Sequence, residues 1–392
     1  MRIAHTADWH LSFRSGDRFT PGGINQREAD VARTFTTMVD QLIGLAPDVV
    51  VAAGDLFDRV NPGNPAIVHA FGQVSRLRAA LPSTIVVLIA GNHDAPKSSG
   101  GGCILPLFAS LGAHVVDRGA ERLRFGELSI LAVPDVPGIV RPALEPDPSA
   151  RYNLLLLHGE VEGMPRAGGR AKDEIAIGMA GWDYIALGHY HIATEIAPNC
   201  WYSGSIDFTS SNPWEEIATP KGFIVRDLAT GAHEFHPLPA ARPVIDLPRL
   251  DVTGMTPEEC NAAIAGTVEA SAIDDAIVRL VVVGTGAHRK DLDWKMIREF
   301  RRRAMAFTFD FRVEAVVGPL SVALHDSNIK RETLEALVAR KFAVRDLTPG
   351  VEREAFAALG MEYLTQATER QPDEPRSVEH VPVADTEHRK AS

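Results

Sequence analysis

Across residues 1–200 the chain alternates short apolar runs with segments of helical period, and this alternation limits the fold more than any other feature. The runs RIAHTA, DVVVAAG, TIVVLIAG, LSILAVP, NLLLLHG and YIALGH are rich in Val, Ile, Leu and Ala, with little regular polar alternation. Such runs suit strands buried on both faces, as in parallel sheets covered by further layers. Between them, NQREADVARTFTTMVDQLIGLA and NPAIVHAFGQVSRLRAAL place apolar residues at helical spacing. An α/β layer architecture with at least partly parallel strands follows.

After residue 200 the pattern becomes strand-rich, with NCWYSGSIDF and GFIVRDL. Prolines crowd together in HPLPAARPVIDLPRLD, which marks a break. Beyond it DAIVRLVVVGTG reads as a strand, DWKMIREFRRRAM as a helix and FDFRVEAV as a strand, together a small α+β domain. KRETLEALVARKF and EREAFAALGMEYLTQA read as helical. The closing ERQPDEPRSVEHVPVADTEHRKAS is polar and poor in apolar residues, the composition of a disordered tail. The expected division is a catalytic domain over 1–240, a smaller domain over 241–320, a helical region over 321–370 and the tail over 371–392.

At 392 residues, 45% of them hydrophobic and 23% charged, the chain has material for more than one packed core. No apolar run reaches the roughly 18–20 residues that crossing a bilayer requires. MRIAHTADWH reads as a strand entering a polar turn and not as an export signal. Cys103, Cys200 and Cys260 are scattered and form no CxxC pair, so neither a disulfide framework nor a thiolate zinc site is indicated. A reducing, cytoplasmic setting is expected. The net charge of −11 argues against a broad basic face for nucleic acid, although carboxylates gathered around cations count as negative in such a sum.

The ends of the apolar runs carry the chemistry. Asp8-Trp9-His10 follows the first, Gly54-Asp55-Leu56-Phe57-Asp58 the second and Gly91-Asn92-His93-Asp94 the third. NLLLLHG ends in His158-Gly159, and YIALGHYH ends in His189-Tyr190-His191. Each block alone reads equally as a turn, a helix cap or a solvated strand end. In open α/β sheets, however, the carboxyl ends of strands meet at one crevice, and five such ends in succession carry His, Asp or Asn. Two carboxylates, one amide oxygen and four imidazoles form a mixed oxygen and nitrogen set that suits Mn, Fe or Zn better than calcium. Seven donors exceed the needs of one ion, and two ions about 3.5–4 Å apart sharing a carboxylate account for them. On this reading Asn92 is a ligand and His93 does chemistry.

The ordered blocks D-x-H, G-D-x-x-D, G-N-H-D, H and G-H-x-H resemble the calcineurin-like metallophosphoesterase superfamily over residues 1–210. HTADWHL, GDLFD, GNHD and WYSGSIDFTSSNPWEEIATPKGFIVRDL followed by RPVIDL resemble, more finely, the SbcD-type DNA repair exonuclease subunits. Ser12 in place of Gly, and Asp58 where some relatives carry His, depart from the pattern. The resemblance implies a four-layer α/β/β/α sandwich with a smaller α+β capping domain and a helical or disordered C-terminal part. It implies that Asp8, His10, Asp55 and His191 hold one divalent ion and Asp55, Asn92, His158 and His189 the other, with manganese the leading metal. His93 would stand off the metals. It further implies a two-metal-dependent nuclease, exonucleolytic and also endonucleolytic, that processes DNA ends with an SMC-like ATPase of SbcC type bound near 321–370, and a homodimer.

From the residues themselves, His93 is the candidate general acid for a leaving sugar oxygen. Asp58 either orients the His93 ring through its carboxylate or caps a helix. PKSSGGG and MPRAGGRAKDE are locally basic and read as backbone-contacting or ordinary loops, and EFRRRAM as a solvated or a DNA-facing helix surface. A small-molecule phosphodiesterase or phosphoprotein phosphatase is the competing enzyme reading, since GDLFDR resembles the phosphatase block G-D-x-x-D-R. A non-catalytic scaffold is the third reading, and it expects lost ligands.

Overall fold

The computed structural model describes residues 1–96, 102–163, 174–313 and the four helical positions 355, 356, 358 and 359. Among these, two six-stranded sheets lie face to face. Strands β1 (Arg2–Thr6), β2 (Val49–Ala52), β3 (Ile85–Ile89) and β4 (His114–Val116) run parallel in chain order in the first sheet. The second is built from β5 (Glu121–Phe125), β6 (Leu128–Val133), β7 (Tyr152–His158), β8 (Tyr184–Gly188), β9 (Thr194–Ala197) and β10 (Cys200–Tyr202). Its order is β5-β6-β7-β8-β10-β9, with β6, β7, β8 and β10 mutually parallel. The chain then returns through β11 (Gly222–Asp227) and β12 (His233–Pro237), which add antiparallel to β1 and complete the first sheet.

The lack of polar alternation in the apolar runs now has its cause. In β1, Ile3 faces the second sheet while its neighbour Ala4 faces the helices. Ile3, Val49, Val51, Val87 and Ile89 meet Ile130, Leu154, Leu156 and Ala186 between the sheets. On the outer face of the first sheet, α1 (Gln26–Leu45) and α2 (Asn64–Ala80) bury Val31, Phe35, Met38, Leu42, Ala70 and Val74 against Ala4, Val50 and Leu88. Asn25 starts α1 by accepting the Arg27 N–H at 3.0 Å, and Ala46 ends it in the left-handed region. Among the described residues, irregular segments around Val161, Ile175 and Trp182 cover the outer face of the second sheet.

A third sheet follows the proline-rich break. It comprises β13 (Val244–Asp246), β14 (Leu250–Asp251), β15 (Ile277–Gly284) and β16 (Ala306–Val313), all pairing with β15 in parallel. Helices α3 (Pro257–Glu269), α4 (Gly286–Lys290) and α5 (Trp294–Arg303) accompany it, and Ile264, Val268, Leu280, Val282, Ile297 and Phe300 form its own core. It is tied to the two-sheet body by polar contacts. Arg242 donates to Asp30 on α1 at 2.5 Å. Arg18 donates to the carbonyls of Arg302 and Ala304 at the end of α5, at 2.6 and 2.5 Å, where a helix terminus offers unpaired acceptors. On α5, Arg303 pairs with Asp274 and Glu269 and Arg302 with Glu299, so two arginines of EFRRRAM are engaged within this unit. The strand read at FDFRVEAV begins earlier, at Ala306. Most of the two basic loops, and apart from four positions the 321–370 and 371–392 segments, lie outside the described residues.

Candidate metal centre

Parallel strands bring their carboxyl ends to one edge, and the five predicted blocks meet there. The loops after β1 and β2 are zipped together by main-chain bonds, Asp8 N–H to Gly54 O and His10 N–H to Asp55 O, both 3.0 Å. Asp8, His10, Asp55 and His189 all have positive φ, at 50°, 45°, 52° and 109°. Non-glycine residues rarely occupy this region, and such strain gathers at functional sites. A Cβ on Gly91 would collide with the Asp55 carboxylate, so this loop can pass Asp55 only without a side chain.

The seven expected donors lie together. His10 Nε2 is 2.9 Å from His191 Nε2 and 3.8 Å from Asp55 Oδ2. His158 Nε2 is 3.4 Å from the same Asp55 oxygen and 3.1 Å from Asn92 Oδ1, which is also 3.0 Å from His189 Nδ1. Asp8 accepts the His189 N–H at 3.1 Å. Three donor groups result: Asp8, His10 and His191; Asp55, His158 and His189; and His10, Asp55 and His93, each with ligand atoms within 4.8 Å of one another. His10 and Asp55 each belong to two of the three, and together they link the groups into one cluster.

The chemistry of this donor set fits divalent cations. His158 Nδ1 donates to the Ala53 carbonyl at 2.7 Å, which turns Nε2 toward the oxygens of Asp55 and Asn92. Burial works against a charged His158, but Asp55 and Asp8 outweigh it and push the ring up to about 10. Burial likewise opposes ionisation of Asp55, and the surrounding histidines, His158 foremost, hold its carboxyl well below the usual range. Imidazole nitrogens and the Asn92 oxygen 2.9–3.1 Å apart, with two buried carboxylates among them, are the mixed nitrogen and oxygen donor set that divalent transition metals take.

His93 and Asp58 differ from expectation in detail. The His93 N–H donates to Asp55 Oδ1 at 2.9 Å, and its ring lies against His10, with centroids 4.8 Å apart. That places His93 beside His10 and Asp55, with ligand atoms of the three within 4.8 Å of one another. Its Nδ1 donates to the Asp58 main-chain carbonyl at 2.7 Å. The Asp58 carboxylate does not orient His93. It faces His10 Nδ1 at 3.5 Å and pairs with Arg59 at 3.2 Å. A main-chain oxygen does the work assigned to the side chain, a distinction that residue identity cannot encode.

Three supports of the site were not read from the sequence. Asp94 accepts the N–H groups of Gly91, Leu56 and Phe57 at 3.0–3.1 Å and so clamps the loops after β2 and β3. Burial, then the nearby Asp55 charge, pushes its carboxyl up to about 7. The GNHD block contains this residue, and its position beside the ligands was the available signal. Arg27, buried on α1, donates to Asp207 at 3.1 Å and to Phe208 O at 2.8 Å, fixing the segment after β10. Lys221 donates to the His191 carbonyl at 2.7 Å.

Residues 1–193 match the family model described as Calcineurin-like phosphoesterase. The DNA double-strand break repair protein Mre11 of Sulfurisphaera tokodaii is 27% identical over 206 residues, 48% of this chain and 49% of its own length. The protein of that name from Methanosarcina acetivorans is 29% identical over 231 residues, covering 54% and 35%. That of Thermoplasma acidophilum is 25% identical over 245 residues, covering 58% and 62%. The chain spans about half the length of the curated relatives it matches. With the two-sheet architecture and the ordered motif blocks, these matches identify residues 1–193 as a calcineurin-like phosphoesterase domain, similar to that of the Mre11 proteins.

Proposed function

We propose that the chain is a two-metal-dependent DNA nuclease that processes broken ends. The observation carrying this reading is the convergence of seven donors from five strand ends on Asp55, whose Oδ2 lies 3.8 Å from His10 and 3.4 Å from His158. Asp8, His10, Asp55 and His191 would hold one ion, and Asp55, Asn92, His158 and His189 the other. When bound, such a pair neutralises phosphodiester charge and makes water acidic enough to attack near neutral pH. His93, tied at Nδ1 to the Asp58 carbonyl, carries the proton at Nε2 for the leaving sugar oxygen. A cleft of about 650 Å³ bordered by His10, His93, His191, Phe13, Trp214 and Thr308 joins this centre to the third sheet and gives substrate a path along it.

The names of the relatives support DNA break repair as the setting. Manganese as the metal, exonuclease with endonuclease action, the division into a catalytic domain over 1–240 and a cap over 241–320, an SMC-like ATPase of SbcC type docking near 321–370, a homodimer and a cytoplasmic location belong to the same proposal. Among the described residues no helix is long and apolar enough to cross a membrane.

The test is incubation of the purified chain with end-labelled linear duplex DNA in manganese, magnesium or EDTA, beside His93→Ala. Manganese-dependent shortening that the variant loses is expected. Intact DNA with turnover of a chromogenic phosphodiester would overturn the reading of this chain as a nuclease on its own.

A further inference from the structure

Two expected ligands, His10 and His191, have a buried Nδ1 without a hydrogen bond among the described residues while Nε2 meets the cluster, and that of His10 already faces the Asp58 carboxylate at 3.5 Å. The His191 Nε2 lies 2.9 Å from His10 Nε2, and its buried Nδ1 has no hydrogen-bond partner. Ligating histidines regularly donate that other N–H to a carboxylate or carbonyl, which sets the tautomer and the ring direction. His158 does so at Ala53 O. For His191 the group in place is Glu216, whose Oε1 lies 3.9 Å from Nδ1.

Glu216 is itself held from behind. Its other oxygen accepts from Lys221 Nζ at 2.6 Å, and the same ammonium donates to His191 O at 2.7 Å and to Ser205 Oγ at 3.0 Å. All three ammonium protons are thus used. Glu216 and Lys221 are only 6% and 3% exposed. A buried ion pair adds little to stability over an apolar pair of equal volume, so its presence beside a ligand calls for another use. Lys221 grips the carboxylate and the main chain of His191 together, which fixes their separation. The turn Pro213–Glu215 that delivers Glu216 is seated in turn by Trp214, whose ring lies 5.1 Å from the Arg279 guanidinium on β15.

We propose that Glu216 is a positioning residue for His191, aiming its imidazole at a cation, with Lys221 as the anchor of Glu216. The inference rests on the metal-centre reading above. It is tested by calorimetric titration of Mn²⁺ into the full chain, alongside melting in EDTA. The wild type is expected to bind two ions. Glu216→Gln has one acceptor oxygen for two donors, and is expected to weaken one ion by about 10- to 100-fold and leave the other unchanged. Glu216→Met/Lys221→Met removes the pair without stranding a buried charge, and is expected to melt like the wild type in EDTA and show the same loss. In a His191→Ala background, where the positioned ligand is gone, Glu216→Gln is expected to add no more than about two-fold. Wild-type affinity in either Glu216 variant overturns the proposal. So does a further 10-fold or larger loss in the His191→Ala background, which marks a merely structural role. Absence of Mn²⁺ binding by the wild type overturns the metal centre itself, and this inference with it.

Discussion

At the scale of single residues, the proposed function gives holding to one imidazole and proton transfer to another, although both are tied through Nδ1 to a main-chain carbonyl. His158 spends Nδ1 on Ala53 O and turns Nε2 into the carboxylate cluster. His93 spends Nδ1 on Asp58 O from a more exposed position at the rim. A general acid matters only when the leaving oxygen needs a proton, and its removal costs about 10²- to 10⁴-fold. His93→Ala is therefore expected to lower DNA cleavage by that factor while turnover of bis-p-nitrophenyl phosphate, whose leaving group departs as the anion, falls by about ten-fold or less. Equal losses on both substrates, measured with Mn²⁺ stoichiometry unchanged, would place His93 in a different step. The motif blocks already point His158 to a metal and His93 to the proton; what they leave out is the tie of each Nδ1 to a main-chain carbonyl.

At the scale of elements, Asp94 shows what the site asks of its loops. One carboxylate accepts three amides from two strand ends, so the GDLFD and GNHD turns are a single piece of structure. Asp94→Ala leaves three buried N–H groups without an acceptor, and at about 1–3 kcal/mol for each loss the expected destabilisation is at least about 3 kcal/mol, read by urea denaturation. The same variant is expected to bind Mn²⁺ more weakly, because Asp55 and Asn92 lose their common brace; unchanged stability would show that solvent replaces the carboxylate. The strand ends themselves were legible because all seven donors follow apolar runs and several sit beside glycines that let the loops approach. Helices α1 and α2 were legible for their dense apolar periodicity and marked ends at Asn25 and Pro65. Helix α3 was not read, although its buried Cys260, Ile264 and Val268 recur at helical spacing and Thr256 and Glu259 form a capping box. Asp94 and Glu216 stayed illegible as supports because Leu56 and Phe57 beside Asp94, and His191 beside Glu216, are brought there by packing between separate loops.

At the scale of the whole molecule, the two sheets must stay in register for their strand ends to share one centre, and His5 stitches them. From β1 of the first sheet its Nε2 donates to Leu187 O at 3.0 Å, and its Nδ1 accepts from the Tyr184 hydroxyl at 3.0 Å, both on β8 of the second. With both ring nitrogens so used, the ring is neutral. Burial, against only the Leu187 contact, lowers it from 6.5 to about 3. The unfolded chain therefore takes up a proton below about pH 6.5 that the folded chain refuses until about pH 3. Stability from this group is whole above pH 6.5 and is lost as pH falls through that window. Between pH 7 and pH 5 the loss is about 2 kcal/mol. His5→Gln does not titrate, and whatever it costs at pH 7, its stability is expected to fall by about 2 kcal/mol less than that of the wild type over the same interval. Comparing the two chains in EDTA by urea denaturation at both pH values cancels the titration of the metal-centre histidines, which both retain. Parallel pH dependence in the two would mean that His5 is protonated in the folded chain, and that the sheets are not joined through a neutral ring.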